Sequence, residues 1–572
     1  MEKNEKIEER KTVKDFREVI KNTVTKYPEN IAYKYKEDYT QKDTKIIEKT
    51  YKQLDEDVKA LGTIFLEYGL EGKKVSVIGK NSYKWAVTYL AATTGGMTIV
   101  PLDKALPEKE IENLLLRSEA EAIVLEGKYI EVAKRIKEKT GILKHIISMD
   151  KIEEEVLEFD EIVEKGKKLI KEGNTKYEKI KIDPKAMSII LFTSGTTSLP
   201  KGVMLSQSNI CANISALAPQ VKLYPTDTML SFLPIHHTLE ATATFIYGLY
   251  SGVTVAFCDG LKYLQSNLVE YKISAFVSVP LVLETMYKKI QKALEDAGKT
   301  EKINRIVELS NGLLEEGIDL RGMLFKDIVA NFGGNLRLVM YGAAPMNKDT
   351  IIGYNNFGIN LVQGYGLTET SPIIAVETDE RRRPGSVGPV LPNLEVEIVD
   401  KDKDDVGEIT VKGPSVMMGY YKNQEESDKV LKHGWFSTGD YGYLDKDGFL
   451  FVTGRKKDVI VLKNGKNVYP QEIEFLINKL LYISESMVYS REESSTDTML
   501  CAKIVYDTES IKKYLGEKTE EEYKEIIWKE IKEINKELPI FKRIKNIIIT
   551  NNPFAKTTTQ KLKRYEEMKT LN

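Results

Sequence analysis

One stretch combines small hydroxyl side chains, glycine and a lysine in a way that suits the binding of an anion. Residues 193–203 read Thr-Ser-Gly-Thr-Thr-Ser-Leu-Pro-Lys-Gly-Val, and they follow the apolar run 187–192, which predicts a buried strand. Such a loop can surround an anion with backbone N–H groups and hydroxyls, and Lys201 adds a positive charge. We therefore predict a polyphosphate site. The spacing of Gly195 and Gly202 around the lysine is not that of a Walker P-loop, and a Ser/Thr-rich surface turn is the structural alternative.

A second segment places an aromatic ring, two glycines, two threonines and a carboxylate close together. Residues 364–370 read Gly-Tyr-Gly-Leu-Thr-Glu-Thr. A carboxylate beside hydroxyls suits a Mg²⁺ ion that keeps several waters and bridges phosphate oxygens, which makes Glu369 a candidate ligand. A turn that leads into a helix cap at Thr368 or Thr370 would explain the same residues without a ligand.

An acid and a base about fifteen residues apart form the third candidate group. Asp440 ends the segment Trp-Phe-Ser-Thr-Gly-Asp, and Arg455 begins the segment Arg-Lys-Lys-Asp. An aspartate can accept hydrogen bonds from both hydroxyls of a ribose, and an arginine can donate beside it. A turn aspartate and a separate surface arginine are the alternative.

Composition limits the classes of partner. The 572 residues include 84 Lys plus Arg and 86 Asp plus Glu, and a formal net charge of -2 gives no basic field for nucleic acid. The 3 cysteines are widely spaced and suggest neither disulfides nor a zinc site. No apolar stretch reaches the roughly 18 to 20 residues of a membrane span, and the first residues lack the apolar core of a signal peptide. We expect a cytoplasmic protein, at most peripheral to the inner face of the membrane.

The order of helix-like and strand-like segments predicts an α/β fold. Between residues 13 and 100 the two kinds alternate, for example a helix-like segment at 13–27 followed by a strand-like segment at 31–36, which is typical of βαβ units and a mainly parallel sheet. Short strand-like pieces separated by Gly and Pro, at 385–389, 395–399, 407–412 and 448–454, then predict a small antiparallel barrel or meander at about 383–452. A new mixture of helices and strands begins near residue 457. We predict a large N-terminal domain, 1–456, which includes the β-rich subdomain, and a small α+β C-terminal domain, 457–572.

Together and in this order, the motifs resemble those of the AMP-forming adenylating superfamily, which includes acyl-CoA synthetases, peptide adenylation domains and luciferases. The resemblance extends from about residue 14 to about residue 565. A further motif near its end, residues 557–564, reads Thr-Thr-Thr-Gln-Lys-Leu-Lys-Arg and is similar to the family's Gly-Lys-Ile-x-Arg sequence. Gln560 replaces the usual Gly there, and Leu562 replaces the usual Ile.

The resemblance implies a role for each candidate residue. Lys201 and the loop would hold the ATP phosphates, Thr193 with Glu369 would place Mg²⁺, and Lys561 would be the catalytic lysine of adenylation. Lys457 would be the hinge about which a mobile C-terminal domain rotates between two half-reactions. Small residues would line the adenine pocket, Tyr365 would pack on the base, and Asp440 with Arg455 would bind the ribose. The implied ATP-site residues are Thr193, Ser194, Gly195, Thr196, Thr197, Lys201, Gly342, Ala343, Ala344, Tyr365, Gly366, Thr368, Asp440, Arg455 and Lys561.

The acid-binding part has its own sequence signals. Residues 233–240 read Leu-Pro-Ile-His-His-Thr-Leu-Glu and resemble the Leu-Pro-x-x-His-x-x-Glu version of long-chain fatty acid members, which places His237 at the mouth of the acyl pocket as a further catalytic-site residue. A helical insertion at about 289–335 is comparable to one in those members, although a structural helical cap would also explain it. The implied acyl and coenzyme A residues are His237, Glu240, Gly364 and Gly465.

The resemblance therefore implies an AMP-forming long-chain fatty acid–CoA ligase that uses ATP and Mg²⁺, with coenzyme A as co-substrate. The expected partners are the fatty acid and coenzyme A but not nucleic acid, and a homodimer or a peripheral membrane contact is compatible with the sequence. Two alternatives stay open. One is an acyl-AMP ligase or acyl-ACP synthetase that delivers the acyl group to a carrier protein, although the compact segment 455–474 favours coenzyme A. The other is an inactive lipid- or nucleotide-binding homologue, which the presence of Glu369, Asp440, Arg455 and Lys561 disfavours.

Overall fold

The computed structural model describes most of the chain, namely residues 12–38, 40, 44–151, 156–193, 200–344, 346–378, 380–462, 466–492, 498–556 and 562–571. Some predicted site residues lie outside the described residues, and their roles stay predictions. They are Ser194, Gly195, Thr196 and Thr197 of the phosphate loop, Gly465 and Lys561.

The strands of the described chain are, in order, β1 Ile31–Lys36, β2 Ile46–Thr50, β3 Lys74–Ile78, β4 Thr98–Leu102, β5 Ala122–Leu125, β6 His145–Ser148, β7 Leu157–Glu158, β8 Met187–Thr193, β9 Lys201–Ser206, β10 Thr228–Ser231, β11 Thr254–Phe257, β12 Ala275–Ser278, β13 Leu338–Tyr341, β14 Asn360–Gly366, β15 Ile373–Val376, β16 Glu395–Val399, β17 Gly407–Lys412, β18 Gly419–Tyr420, β19 Leu431–Lys432, β20 Trp435–Leu444, β21 Leu450–Arg455, β22 Ile460–Val461, β23 Asn467–Val468, β24 Ile483–Glu492, β25 Thr498–Tyr506 and β26 Asn546–Thr550. Central strands such as β12 and β13 are buried at every residue. Continuous apolar runs are expected where helices cover both faces of a parallel sheet.

The α-helices are α1 Phe16–Lys26, α2 Tyr51–Glu67, α3 Tyr83–Thr94, α4 Glu108–Ser118, α5 Ile130–Thr140, α6 Phe159–Lys171, α7 Lys176–Lys179, α8 Gln207–Leu217, α9 Thr238–Glu240, α10 Tyr247–Ser251, α11 Leu264–Glu270, α12 Pro280–Asp296, α13 Thr300–Glu315, α14 Arg321–Leu324, α15 Lys326–Ala330, α16 Lys348–Asn356, α17 Gln424–Val430, α18 Pro470–Ile477, α19 Thr508–Leu515, α20 Glu520–Glu537 and α21 Arg564–Lys569. Local signals set several of their ends. α2, for example, begins with a capping box in which Thr50 and Gln53 each bind the other's backbone N–H. Among the described residues, no helix combines the length and the apolar composition needed to cross a bilayer.

Two eight-stranded sheets form most of the large N-terminal domain. The first has the order β15-β14-β13-β12-β10-β11-β1-β2, and the second has the order β18-β9-β8-β4-β3-β5-β6-β7. Neighbouring strands are parallel except at the edges, where β1–β2, β14–β15, β8–β9 and β9–β18 are antiparallel. The predicted α/β fold with mainly parallel sheets is confirmed. Its largest hydrophobic cluster joins side chains from both sheets, such as Val77 and Val277.

A smaller antiparallel sheet follows in the predicted β-rich region. Its order is β16-β17-β20-β19, with β21 beside β20. Residues 385–389, which the sequence suggests as a strand, are not one, because Gly385 and Gly388 turn the chain at positive φ and Pro389 makes only a single bridge to Phe449. The ten-residue β20 contains the Ser-Thr-Gly-Asp motif, which alone looks like a turn.

The C-terminal part has a hydrophobic cluster of its own. Its buried members lie between Leu462 and Ile549, where α18 and α20 pack on the sheet β24-β25-β26. A smaller α+β domain therefore follows the large domain, while the boundary at residue 457 stays a prediction. The predicted insertion is helical: α12 to α15 occupy it, and α12 begins earlier than expected, with Pro280 in its first turn.

Candidate active site

The predicted phosphate loop joins two antiparallel strands of the second sheet. β8 ends at Thr193 and β9 begins at Lys201, and these two residues face each other in the ladder. The Thr193 hydroxyl donates to the carbonyl oxygen of Lys201 over 3.4 Å. The structure thus brings Thr193 and Lys201 together at the base of the hairpin that carries the loop.

Lys201 and Glu369 approach opposite parts of one tyrosine side chain. Nζ of Lys201 lies 5.0 Å from the centroid of the Tyr420 ring, and the Tyr420 hydroxyl donates to Oε1 of Glu369 over 3.0 Å. The 3₁₀ helix Thr368–Thr370, which carries Glu369, contacts β9. Tyr420 is not among the residues predicted from sequence. Its position depends on the pairing of β18 with β9, and no local motif signals that pairing.

The donor chemistry at this end of the hairpin fits Mg²⁺. Glu369 offers a carboxylate and Thr193 offers a hydroxyl, and both are hard oxygen ligands. A site with so few protein ligands holds Mg²⁺ together with water and substrate phosphates, rather than in an all-protein cage. The role of these two residues in placing the metal stays a prediction.

Asp440 receives hydrogen bonds from two side chains that the sequence separates widely. The register of β20 and β21 places it opposite Arg455, whose Nε donates to Oδ1 over 2.9 Å. The Tyr365 hydroxyl donates to Oδ2 over 2.7 Å. Asp440 is only 3% exposed, and burial, followed by the negative charge of Asp440, raises the pKa of Tyr365. The carboxylate is therefore held in one orientation, with an aromatic ring and a guanidinium beside it.

The predicted adenine-pocket residues follow the end of β13, next to β14. A Cβ atom added to Gly342 would lie 2.8 Å from the carbonyl oxygen of Gly364, so the two backbones approach too closely for a side chain. Ala343 has φ 73, and both Ala343 and Ala344 are exposed. Gly366 is the last residue of β14. Small residues thus leave this sheet end open to a flat ligand.

The two adjacent histidines have different surroundings. His236 is partly buried, with Nε2 3.5 Å from Oδ2 of Asp103, and its desolvation lowers its pKa. His237 caps α9, where its Nδ1 accepts from the backbone N–H of Leu239 over 3.3 Å. α9 continues directly into a π-helix, Ala241–Ile246, a rare element that often marks functional sites. Placement of His237 at an acyl pocket stays a prediction.

Glu240 is fully buried and lies in a polar network that the sequence does not reveal. The Thr244 hydroxyl donates to its Oε2 over 3.0 Å, and Ser231 also bonds to its carboxyl group and accepts from Asn81 over 2.9 Å. Burial raises the pKa of Glu240 to about 8, and the hydrogen bonds from Ser231 and Thr244 oppose that rise. Among the described residues, Oε1 of Glu240 and the Thr238 hydroxyl are buried with no hydrogen-bond partner. The group is therefore mainly a neutral carboxylic acid at pH 7.

A partly buried arginine connects the C-terminal motif to the predicted hinge. Lys457 lies in the 3₁₀ helix Lys456–Asp458, directly after β21. Nε of Arg564 lies 3.6 Å from Oδ2 of Asp458, and its guanidinium also pairs with the buried Glu474 of α18. The arginine that ends the Lys-Leu-Lys-Arg motif thus fixes the following chain against the 3₁₀ helix that contains the predicted hinge residue.

The lysines that flank Lys561 take part in ion pairs. Nζ of Lys556 lies 2.7 Å from Oε1 of Glu485, and Nζ of Lys563 lies 3.0 Å from Oε1 of Glu566. These contacts give both side chains a local structural role, which favours Lys561 over them as the catalytic lysine.

Family models match nearly the whole chain. A model of the AMP-binding enzyme family matches residues 20–421, and a model of the AMP-binding enzyme C-terminal domain matches residues 457–571. The first match alone covers more than half of the chain. The protein belongs to the AMP-binding enzyme family.

Curated relatives match over most of their length. Fatty acyl-CoA synthetase B of Dictyostelium discoideum is 28% identical, with 85% of this chain and 74% of the relative covered. The long-chain-fatty-acid–CoA ligase FadD15 of Mycobacterium tuberculosis is 30% identical, with 75% and 72% covered. The chloroplastic long-chain-fatty-acid–[acyl-carrier-protein] ligase AEE15 of Arabidopsis thaliana is 27% identical, with 90% and 82% covered.

Solved structures share the fold at low identity. The anthranilate CoA ligase AuaEII in complex with anthranoyl-AMP superposes with a TM-score of 0.77 at 17% identity and covers 97% of each chain. ATP-bound MatB from Rhodopseudomonas palustris gives a TM-score of 0.75 at 22% identity and covers 96% of this chain and 98% of its own. The architecture of the chain is thus that of adenylate-forming enzymes.

Proposed function

We propose that this protein is an AMP-forming long-chain fatty acid–CoA ligase. The observation that carries the proposal is the cluster of Tyr365, Asp440 and Arg455, in a chain that also pairs Lys201 with Thr193 where β8 ends and β9 begins. A ribose-binding carboxylate and a phosphate-binding lysine on one fold are suited to ATP. The family match and the names of the curated relatives support activation of a carboxylic acid as the reaction.

The first half-reaction joins two anions. A carboxylate oxygen of the acid attacks the α-phosphorus of ATP, the bond from that phosphorus to the bridging oxygen breaks, and pyrophosphate leaves. Lys201 stabilises the charge on the leaving phosphates, and Asp440 with Arg455 fixes the ribose so that the α-phosphorus faces the acid. Holding the reactants in line can lower the barrier by roughly 7 to 11 kcal/mol. Thr193 and Glu369 would hold Mg²⁺, which would supply further positive charge for the leaving phosphates.

The second half-reaction releases AMP. The sulfur of coenzyme A attacks the acyl carbon, the bond from that carbon to the AMP oxygen breaks, and the thiol proton passes to solvent. Lys561 acts in the first half-reaction, where it bridges the carboxylate and the α-phosphate. A lysine in that place obstructs a thiol, so the two steps favour two orientations of the C-terminal domain about Lys457, with Gly465 beside the thiol channel in the second.

The choice of a long-chain fatty acid follows from the relatives and from two parts of the chain. Both the acyl-CoA and the acyl-carrier-protein relatives carry fatty acid names. His237 and Glu240 belong to the segment that resembles long-chain members, and α12 to α15 supply the helical insertion. Each added methylene contributes about 0.8 kcal/mol when buried, so the depth of the acyl tunnel sets the preferred chain length.

A carrier-protein acceptor is the second candidate. The observation that favours it is the similarity to AEE15, a fatty acid–[acyl-carrier-protein] ligase, over 90% of this chain. The compact segment 455–474 favours coenzyme A, because acyl-AMP ligases usually carry an insertion there.

Pyrophosphate release from ATP, measured across carboxylic acids of increasing length, tests the proposal. We expect release with long-chain fatty acids and thioester formation on adding coenzyme A. Thioester formed only on a phosphopantetheinylated carrier protein would establish the second candidate instead. No pyrophosphate release with any fatty acid would reject adenylation of these acids.

A further inference from the structure

A carboxylate on α17 pairs with the predicted phosphate-binding lysine. Nζ of Lys201 donates to Oε2 of Glu426 and lies over the ring of Tyr420. The side chains of Lys201 and Glu426 are 26% and 30% exposed, so a ligand can reach the pair. Sequence gives no signal for this contact, because the two residues are far apart in the chain.

The backbone fixes Glu426 beside the hairpin. β18 pairs with β9, and the N–H of Tyr421 donates to the carbonyl oxygen of Gly202 over 2.7 Å. The chain then turns into α17, where the side chain of Asn423 accepts from the backbone N–H of Glu426 over 3.2 Å. This N-cap places Glu426 in the first turn of the helix. Its carboxylate therefore meets Lys201 through a defined local geometry.

The Glu426 carboxylate is an anionic hydrogen-bond acceptor throughout the physiological pH range. Hydrogen bonds from Lys201 first, and from Lys429 second, lower the pKa of Glu426 to about 2. Tyr420 has the ammonium of Lys201 over its ring and donates its hydroxyl to Glu369. The lysine is thus oriented by a carboxylate on one side and by an aromatic face on another.

We propose that Glu426 is a positioning residue that holds Lys201 in the absence of nucleotide and yields it to a polyphosphate. A carboxylate oxygen and a phosphate oxygen accept the same N–H donors, so the two compete for one ammonium. Glu426 then limits the affinity for both ATP and pyrophosphate, and it speeds departure of the product. This inference rests on the proposed function, because it takes Lys201 as a phosphate ligand.

Glu426→Gln removes the competing charge and nearly preserves the side-chain shape. Glu425→Gln is the matched control, since Glu425 is the adjacent residue, is 83% exposed and pairs with Lys429 over 2.8 Å. We expect the dissociation constants of Mg·ATP and of Mg·pyrophosphate, measured by calorimetry without fatty acid, to fall roughly two- to fivefold in Glu426→Gln, the worth of an exposed ion pair with Lys201. Glu425→Gln should match the wild type. The KM for ATP should fall accordingly, while the KM for the acid stays unchanged.

A double-mutant cycle separates action through Lys201 from a general loss of negative charge. In a Lys201→Met background, Glu426→Gln should leave the affinity for Mg·ATP unchanged. An equal gain with and without Lys201, or an equal gain in Glu425→Gln, would overturn the proposal. Unchanged or weaker binding in Glu426→Gln would also overturn it. If the wild-type protein binds neither Mg·ATP nor Mg·pyrophosphate, the proposed function itself is rejected. If the wild type binds both and the Glu426→Gln results differ from those expected, only the role of Glu426 is rejected.

Discussion

At the residue scale, the site is organised around carboxylates in three different environments. Asp440 is buried but bonded by Arg455 and Tyr365. Glu426 is partly exposed and ionised beside lysines. Glu240 is fully buried without a cation, so its pKa rises to about 8. Environment, not residue type, decides which of these groups is charged at neutral pH.

Asp440→Asn should weaken nucleotide binding. The amide keeps the shape but loses the charge that binds Arg455 and one acceptor for the ribose hydroxyls. We expect the KM for ATP to rise roughly ten- to a hundredfold, the usual cost of hydrogen bonds to a charged group. Steady-state kinetics at a saturating concentration of fatty acid measures the KM for ATP. Asp404→Asn, on an exposed turn after β16, is the control, and equal KM values in the two variants would argue against a ribose contact.

The raised pKa of Glu240 predicts that the stability of the folded protein depends on pH. Its folded pKa of about 8 exceeds the ordinary value of 4.5, so between these pH values the folded state binds the proton more tightly than the unfolded state. The stability that it contributes is fully present below about pH 4.5 and is lost as the pH rises to about 8. Relative to Glu240→Gln, the wild type should lose stability of the order of a few kcal/mol over this window.

Thermal unfolding of wild type and Glu240→Gln between pH 5 and pH 9 measures this difference. The two Tm profiles should separate as the pH rises, with the glutamine variant becoming relatively more stable. Parallel profiles would show that Glu240 does not hold a proton in the folded protein.

At the element scale, strand ends and hairpins bring the site residues together. The β20–β21 register aligns Asp440 with Arg455, and the β8–β9 register aligns Thr193 with Lys201. In each case the antiparallel pairing of two successive strands places the two residues opposite each other, whereas the sequence shows only that they are close along the chain. The end of β14 then carries Tyr365 to Asp440.

Gly366→Ala should disturb the end of β14. An added Cβ would lie 1.8 Å from the carbonyl oxygen of Pro372, so the backbone must shift, at a cost of typically 1–3 kcal/mol for overpacking. Gly312→Ala in α13 is the matched control, because a Cβ there meets no atom within 4 Å and removes helical glycine, a gain of roughly 0.5–1 kcal/mol. The two variants are compared by their free energies of unfolding in urea and by their affinities for ATP. Similar values for both variants would contradict the close approach.

Local patterns predicted elements well where periodicity was clear. The strands Ile31–Lys36, Glu395–Val399 and Gly407–Lys412 have the predicted bounds, since each is a short run between turn residues. The pattern failed at residues 385–389, where glycine and proline favour turns over ladder pairing. It also missed β20, because a Thr-Gly-Asp sequence inside a strand has the composition of a turn.

Contacts across elements could not be predicted in the same way. Sequence motifs contain Thr193, Lys201, Tyr365, Asp440 and Arg455. The structure joins Thr193 with Lys201, and it joins Tyr365 and Arg455 with Asp440. Tyr420 and Glu426 carry no motif, and their positions depend on which strand pairs with β9. The network around Glu240 likewise arises from packing of Asn81 and Ser231, which local sequence does not encode.

At the scale of the whole molecule, a large domain and a smaller one divide the predicted chemistry. The large domain contains Tyr365, Asp440 and Arg455, which we propose bind the nucleotide, and the segment 233–240, which we propose contacts the fatty acid. The small domain follows the 3₁₀ helix Lys456–Asp458, which contains the predicted hinge Lys457, and it carries the Lys-Leu-Lys-Arg motif, with Arg564 in an ion pair with Asp458. This arrangement suits a lysine that acts in only one half-reaction.

Lys561→Ala should separate the two half-reactions. We expect adenylation, measured as ATP–pyrophosphate exchange, to fall by roughly 100-fold or more, as when one transition-state donor is removed. Thioester formation from supplied acyl adenylate should stay near the wild-type rate. Lys556→Ala and Lys563→Ala are controls, because both side chains are in ion pairs. Loss of both half-reactions in Lys561→Ala would contradict two domain orientations.

The fate of the carboxylate oxygen tests the central claim, that a fatty acid attacks the α-phosphorus of ATP. The protein is incubated with Mg·ATP, coenzyme A and hexadecanoic acid labelled with ¹⁸O in both carboxylate positions, and the nucleotide products are analysed by mass spectrometry. The mechanism predicts AMP with one ¹⁸O in its phosphate, because thiolysis leaves the attacking oxygen on AMP. ADP with labelled inorganic phosphate, or AMP without ¹⁸O, would contradict it.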